Sequence, residues 1–115
     1  MSAECLFCRV VDRSVPATVV HETETVLAFR DINPQAPTHV LVIPKEHYPD
    51  AAAMAAADPA LAGTVLAAAG DVAKADGVDG SGYRLVFNTG ADAAQTVFHV
   101  HCHVLAGRAM TWPPG

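Results

Sequence analysis

The sequence predicts an α+β fold: a five-stranded, mainly antiparallel sheet with one long and one short helix. Three observations carry that expectation. Short runs rich in β-branched and aromatic residues recur towards both ends of the chain, an alanine-rich stretch between them has apolar residues at helical spacing, and the last run alternates with a period of two. At 115 residues, 51% of them hydrophobic, the chain reads as one compact domain, residues 1–115, with a core of its own.

The elements follow in order. "TVVHE" (18–22) and "TVLAFRD" (25–31) lie on either side of a polar turn and read as a hairpin. Two prolines in "INPQAPTH" exclude helix and make a rigid loop before the apolar run "VLVIP" (40–44), a third strand. Asp58-Pro59 supplies an N-cap followed by proline at the first helical position, and Leu61, Val65, Leu66, Ala69, Val72 and Ala73 recur at helical spacing up to Asp76-Gly77. The main helix is therefore expected at 59–76, with a shorter one at 50–57. Their alanines permit close packing on a sheet and are assigned no chemistry. "YRLVFN" (83–88) is a fourth strand after the turn cluster "GVDGSG", and "TVFHVHCHVLAG" (96–107) is the fifth.

Charge and composition exclude some functions. A net charge of −5, with two lysines and five arginines, argues against an extended nucleic-acid surface, which needs several phosphates neutralised along one face. A single small anion is still compatible, because backbone amides and imidazoles hold one phosphate without net positive charge. No targeting segment or membrane span is evident: "MSAECLF" lacks a basic region followed by an apolar stretch, and the alanine runs are too short and weakly apolar. A soluble, cytoplasmic protein is expected. Three cysteines, two of them in "CLFC", suit a metal or redox pair in a reducing compartment better than a disulfide framework.

The chemistry is concentrated in "FHVHCHVLAG", where His99, His101 and His103 alternate with apolar residues. On a strand they share one face, roughly 6.5–7 Å apart. Three readings fit: a solvent-facing polar edge, a catalytic zinc site with two strand histidines as ligands, or a nucleophilic imidazole flanked by histidines that orient it and handle phosphate oxygens.

The run "HVHCHVL" resembles the signature of the histidine triad superfamily, and "AFRDINPQAPTHVLVIPKEH" (28–47), "GYRLVFNTG" (82–90), "QTVFHVHCHVLAGR" (95–108) and the terminal "WPPG" match in the same order and spacing. The combination is similar to the histidine triad nucleotide-binding branch, whose members are purine nucleoside phosphoramidases. The resemblance implies hydrolysis of purine nucleoside 5′-phosphoramidates or related adenylyl compounds, with His101 as nucleophile and a nucleotidyl-histidine intermediate. It further implies phosphoryl-oxygen contacts from His103, phosphate contact or proton transfer by His39, and a hydrogen bond from Thr96 to the leaving group. Gln95 and Asn88 would line the phosphate side, Asp31 would accept both ribose hydroxyls, and Phe29 and Ile32 would wall the base. Trp112, in a tail that reaches a partner subunit in the family, implies a homodimer. Dinucleoside polyphosphate hydrolysis shares the triad, and a nucleotide-binding regulatory or scaffold protein is the alternative to an enzyme.

Cys5 and Cys8, at i and i+3, present both sulfurs to one tetrahedral ion and need two more ligands. A reduced, metal-free pair is the plain alternative. In the zinc-bearing relatives the set is completed by residues matching His47 and His99, which implies structural zinc and leaves His101 and His103 for chemistry. Three departures stand out. Ala93-Ala94 replaces a common Gly-Gly, Arg30 puts a permanent cation beside Asp31 on the expected ribose side, and Cys102 fills an apolar slot as a small buried hydrophobe.

Overall fold

The structure, a computed structural model, describes residues 5–115; the first four residues of "MSAECLF" lie outside it. The elements are α1 (Leu6–Val11), β1 (Val19–Glu22), β2 (Val26–Arg30), β3 (Thr38–Pro44), α2 (Ala51–Ala57), α3 (Pro59–Ala75), β4 (Tyr83–Val86) and β5 (Cys102–Ala106), with a 3-10 turn at Ala91–Ala93. The five strands form one sheet in the order β1-β2-β3-β5-β4, every neighbouring pair antiparallel. The α+β class, the strand count and both helices of the middle segment are therefore as the sequence predicts.

Both central strands are buried on both faces, and their alternation divides the core in two. Val26, Ala28, Val40, Val42, Cys102 and Val104 face α3, where Val65, Ala68, Ala69, Val72 and Ala73 meet them. The small alanines let the helix lie close to the sheet. Leu27, Phe29, Leu41 and Ile43 face the other way, against Phe7 and Val10 of α1. Asp58 caps α3 through the Leu61 N–H at 3.1 Å, and Asp50 caps α2 through the Ala53 N–H at 2.9 Å. No described helix is long and apolar enough to cross a membrane.

Two features depart from expectation. The helix α1 is additional to the predicted pair; the Cys5 thiol caps it, accepting from the Cys8 N–H at 3.2 Å. The last strand is also shorter than 96–107. Pairing with β3 begins at Val42–Cys102, and upstream of it the chain turns its donors elsewhere: the Val100 N–H bonds the Tyr48 carbonyl at 2.7 Å. Only His103 of the three clustered histidines lies within β5; His99 and His101 precede it in irregular backbone. Of the expected apolar face, Val100, Cys102 and Val104 are buried while Phe98 is 56% exposed.

Candidate active site and metal cluster

The sheet face that carries Phe29, Leu41 and His103 opens into a cavity of about 370 Å³. These three residues stand in one row across β2, β3 and β5, since Phe29 pairs with Leu41 and Leu41 with His103. The cavity is walled by Leu6, Phe7 and Val10 of α1, by Val15 and Ala17 of the following loop, and by Ile32. Asp31, Thr96, His101 and His103 bring the polar atoms. Such a site offers an apolar slot with a few convergent polar groups, the usual make-up of a small-ligand pocket.

Hydrogen bonds decide which nitrogen of each imidazole is available. His101 Nδ1 lies 2.8 Å from the His99 carbonyl oxygen. A carbonyl only accepts, so Nδ1 carries the proton and Nε2 holds the lone pair. The Phe7 ring stands edge-on to His101, centroids 5.0 Å apart, and packs likewise on Phe29 at 5.4 Å. Burial pushes His101 and His39 below the ordinary histidine pKa, and burial together with the neighbouring His101 and His39 brings His103 down to about 4. These imidazoles are neutral near pH 7, the state in which a ring nitrogen is nucleophilic.

His39 sits on β3, 2.9 Å from His103 Nδ1 through its Nε2 and 3.4 Å from an Asp31 carboxylate oxygen. Its Nδ1 accepts the Gln35 backbone N–H at 3.0 Å. Asp31 is held by the Asn33 N–H at 2.8 Å, and its oxygens keep lone pairs to spare for a ligand.

Cys5, Cys8, His47 and His99 form a second cluster beside the first. Cys5 Sγ lies 3.3 Å and Cys8 Sγ 3.5 Å from His99 Nδ1, Cys8 Sγ lies 3.4 Å from His47 Nδ1, and the two Nδ1 atoms are 3.2 Å apart. A tetrahedral ion with metal–ligand bonds of about 2.0–2.3 Å demands donor–donor edges of roughly 3.3–3.8 Å, and the cluster is already close to that size. His99 Nε2 donates to the Pro44 carbonyl at 2.8 Å, which leaves its Nδ1 as the lone-pair nitrogen aimed at the cysteines. Burial holds His99 down to about 4, so that nitrogen is unprotonated. The four residues fit a closed, four-ligand metal site.

Asp31, His39 and His103 are also within reach of one common ion. Their tautomers oppose it. With Nδ1 of His39 accepting from Gln35, its Nε2 must carry the proton and has no lone pair for a metal. This group is a hydrogen-bonded relay.

Phe29, Asp31, Ile32, Thr96, His101 and His103 thus come together in the cavity, with His39 directly behind them. Gln95, Asn88 and Trp112 are not among the lining residues. Gln95 is buried and clamps the preceding loop: its Oε1 accepts the Gly90 N–H at 2.9 Å and its Nε2 donates to the Pro49 and Val97 carbonyls at 2.7 and 3.1 Å. Trp112 is 83% exposed, in a tail tied to β4 by the Arg84 bond to the Thr111 carbonyl. Arg30 also lines the cavity but corrects an expectation: its guanidinium is engaged in two bonds to Asp76, at 2.6 and 2.9 Å, and is no free cation beside Asp31. Sequence reading missed the α1 wall, Leu6, Phe7 and Val10, whose apolar residues interleave with the two cysteines in "CLFCRV".

Comparison with known proteins agrees with this geometry. The family profile described as the HIT domain matches residues 12–110. An uncharacterized HIT-like protein of Synechocystis is 47% identical over 115 residues, the full length of both chains. A 14 kDa zinc-binding protein of Zea mays is 47% identical over 113 residues, 96% of this chain and 87% of that one. A crystal structure of a HIT family hydrolase from Legionella pneumophila superposes with a TM-score of 0.93 at 49% identity, covering 97% of this chain and 100% of the other. With the profile spanning most of the chain and near half-identity over full length, this protein belongs to the HIT domain family.

Proposed function

We propose that the protein, acting as one HIT domain over residues 1–115, hydrolyses purine nucleoside 5′-phosphoramidates or related adenylyl compounds. The observation that carries this reading is the His101 tautomer. Its Nδ1–H is bound to the His99 carbonyl, which leaves a neutral Nε2 lone pair in a cavity with one apolar slot and one accepting carboxylate.

In the proposed reaction the base enters between Phe7, Val10, Phe29 and Ile32, and Asp31 accepts the ribose hydroxyls. His101 Nε2 attacks the α-phosphorus; the Nε2–P bond forms as the bond to the leaving amine breaks. The leaving nitrogen departs as the neutral amine with a proton taken from solvent, hydrogen-bonded by Thr96. His39, bonded to His103 Nδ1, holds His103 so that its Nε2–H donates to a phosphoryl oxygen. Water then cleaves the Nε2–P bond and releases the nucleoside monophosphate. Holding the attacking nitrogen in place avoids its positioning entropy, and His103 supports the charge on phosphoryl oxygens. Gln95 fixes the loop on the phosphate side through its side-chain hydrogen bonds, and Asn88 would contact phosphate on that side.

Cys5, Cys8, His47 and His99 would hold zinc, the ion that thiolate–imidazole sets favour. With four protein ligands it supplies structure only, tying α1 to the approach of β5. The four-residue cluster supports reading the chain as a member of the zinc-bearing nucleotide-binding branch of the family, and thiolate ligands suit the reducing cytoplasm. The exposed Trp112 supports a homodimer in which the tail meets a partner subunit, and the acidic charge disfavours nucleic acid. Dinucleoside polyphosphate hydrolysis, which shares the triad, is the alternative substrate class.

The test is mass spectrometry of protein quenched during turnover of adenosine 5′-phosphoramidate, with diadenosine polyphosphate in a parallel assay. An adenylyl group on His101, lost in His101→Ala together with turnover, is expected. Turnover without that adduct in a burst experiment, or undiminished in His101→Ala, overturns the covalent route. Faster turnover of the dinucleotide reassigns the substrate, and tight nucleotide binding without turnover of either makes the protein a binding module.

A further inference from the structure

The turn that follows β5 reaches back to the loop that enters β3. Arg108 Nε donates to the Gln35 carbonyl at 3.0 Å, and Gly107, at φ +91°, lies so close to Pro37 that a Cβ there would stand 2.8 Å from the proline Cβ. Only glycine allows both that backbone conformation and that approach. Two adjacent residues therefore brace residues 35–37 from outside the cavity.

What they brace is the hydrogen bond from the Gln35 peptide N–H to His39 Nδ1. A donor fixed 3.0 Å from Nδ1 excludes a proton there, because two N–H groups would then face each other. The proton of neutral His39 must sit on Nε2, where it points to His103 Nδ1 at 2.9 Å. His103 must in turn accept at Nδ1 and carry its own proton on Nε2. One peptide N–H thereby sets the protonated nitrogen in two successive rings.

We infer that Arg108 and the Gln35 peptide are positioning residues: they fix the tautomers of His39 and His103, so that His103 meets the cavity as a hydrogen-bond donor. The inference rests on the hydrolase reading for its catalytic consequence, but the tautomers themselves are a property of the protein without substrate. A wrong tautomer would present a lone pair to a phosphoryl oxygen and repel it. Neither residue touches the ligand cavity.

The experiment is long-range imidazole ¹⁵N NMR on histidine-labelled full-length protein, with steady-state kinetics alongside. The parent should show His39 and His103 as Nε2–H tautomers. Gln35→Pro deletes the peptide donor and should populate the Nδ1–H form of His39, whereas Gln35→Ala keeps the donor and should keep the parent tautomer. Arg108→Ala, at an exposed position, should show a mixture and lose kcat about tenfold, part of the roughly 10²–10⁴ that placed proton-handling groups supply, with KM within about twofold. Arg108→Lys should recover most of both readouts. If Gln35→Pro fails to fold, Arg108→Ala decides. Parent tautomers in Arg108→Ala, with or without loss of kcat, overturn the inference. A parent protein that turns over no phosphoramidate overturns the hydrolase reading, and the spectra still decide the tautomers.

Discussion

His99 and His101 each have one nitrogen committed to a backbone carbonyl, and that commitment assigns the other. His99 spends Nε2 on the Pro44 carbonyl and turns Nδ1 to the cysteines; His101 spends Nδ1 on the His99 carbonyl and turns Nε2 to the cavity. The alternation of the three imidazoles was legible in the sequence, and so was Asp31. Their protonation was not, because it depends on carbonyls and on a peptide N–H that only the fold brings near. Arg30 was misread for a related reason: its partner Asp76 is 46 residues away. Asp31 offers a direct check on the proposed sugar contact. A hydrogen bond to a charged group is worth about 1.5–3 kcal/mol, so Asp31→Asn should raise KM for adenosine 5′-phosphoramidate by about tenfold or more. The 2′,3′-dideoxy substrate should lose little on the same substitution. An equal loss for both substrates in steady-state assays would remove Asp31 from ribose recognition.

At the scale of elements, the contrast is between α3 and α1. The long helix announced itself through Asp58-Pro59 and a sustained apolar repeat, whereas six residues are too few to show periodicity or to be stable alone. β5 was overextended because side-chain alternation persists where strand pairing has stopped: Val100 still packs towards α3 and His101 towards α1, although the Val100 N–H bonds Tyr48. α1 depends on tertiary ties, namely the cysteine cluster on one side and Phe7 and Val10 on the other. Three residues of the same helix, Leu6, Phe7 and Val10, wall the cavity, so stability and ligand affinity should fall together. A chelator, or Cys8→Ser, should lower the melting temperature and weaken nucleoside monophosphate binding by calorimetry. Phe7→Ala should cost about 3–5 kcal/mol in urea unfolding, the range for a buried phenylalanine. Instant loss of turnover on chelation, in protein whose melting temperature is unchanged, would make the ion catalytic and refute its structural role.

Across the whole molecule, the two faces of the sheet should lose stability to acid in different pH windows. On the cavity face, His103 is brought down to about 4 by burial, His101 and His39, with Asp31 opposing. A base whose folded pKa lies below its unfolded value near 6.5 contributes stability in full above 6.5, and that contribution drains as pH falls to about 4. Towards the α3 side, Asp76 ends the helix and joins Arg30 at the end of β2 to Thr38 at the start of β3. The Arg30 bond, then the Thr38 hydroxyl, holds its carboxyl below the ordinary 3.8 against the effect of burial. A lowered acid contributes above its unfolded pKa and is lost only as pH falls through the folded one, here below about pH 4. Solvent screening of this partly exposed pair keeps the second contribution to about 1 kcal/mol. Urea midpoints measured from pH 7 to pH 3 should therefore decline first between 6.5 and 4, and again below 4. His103→Gln should flatten the upper decline alone, and Asp76→Asn should lower the midpoint at neutral pH while flattening the lower one. A single decline confined below pH 4 in the parent would mean that the buried imidazoles are not held neutral, and the reading of His103 would fail with it.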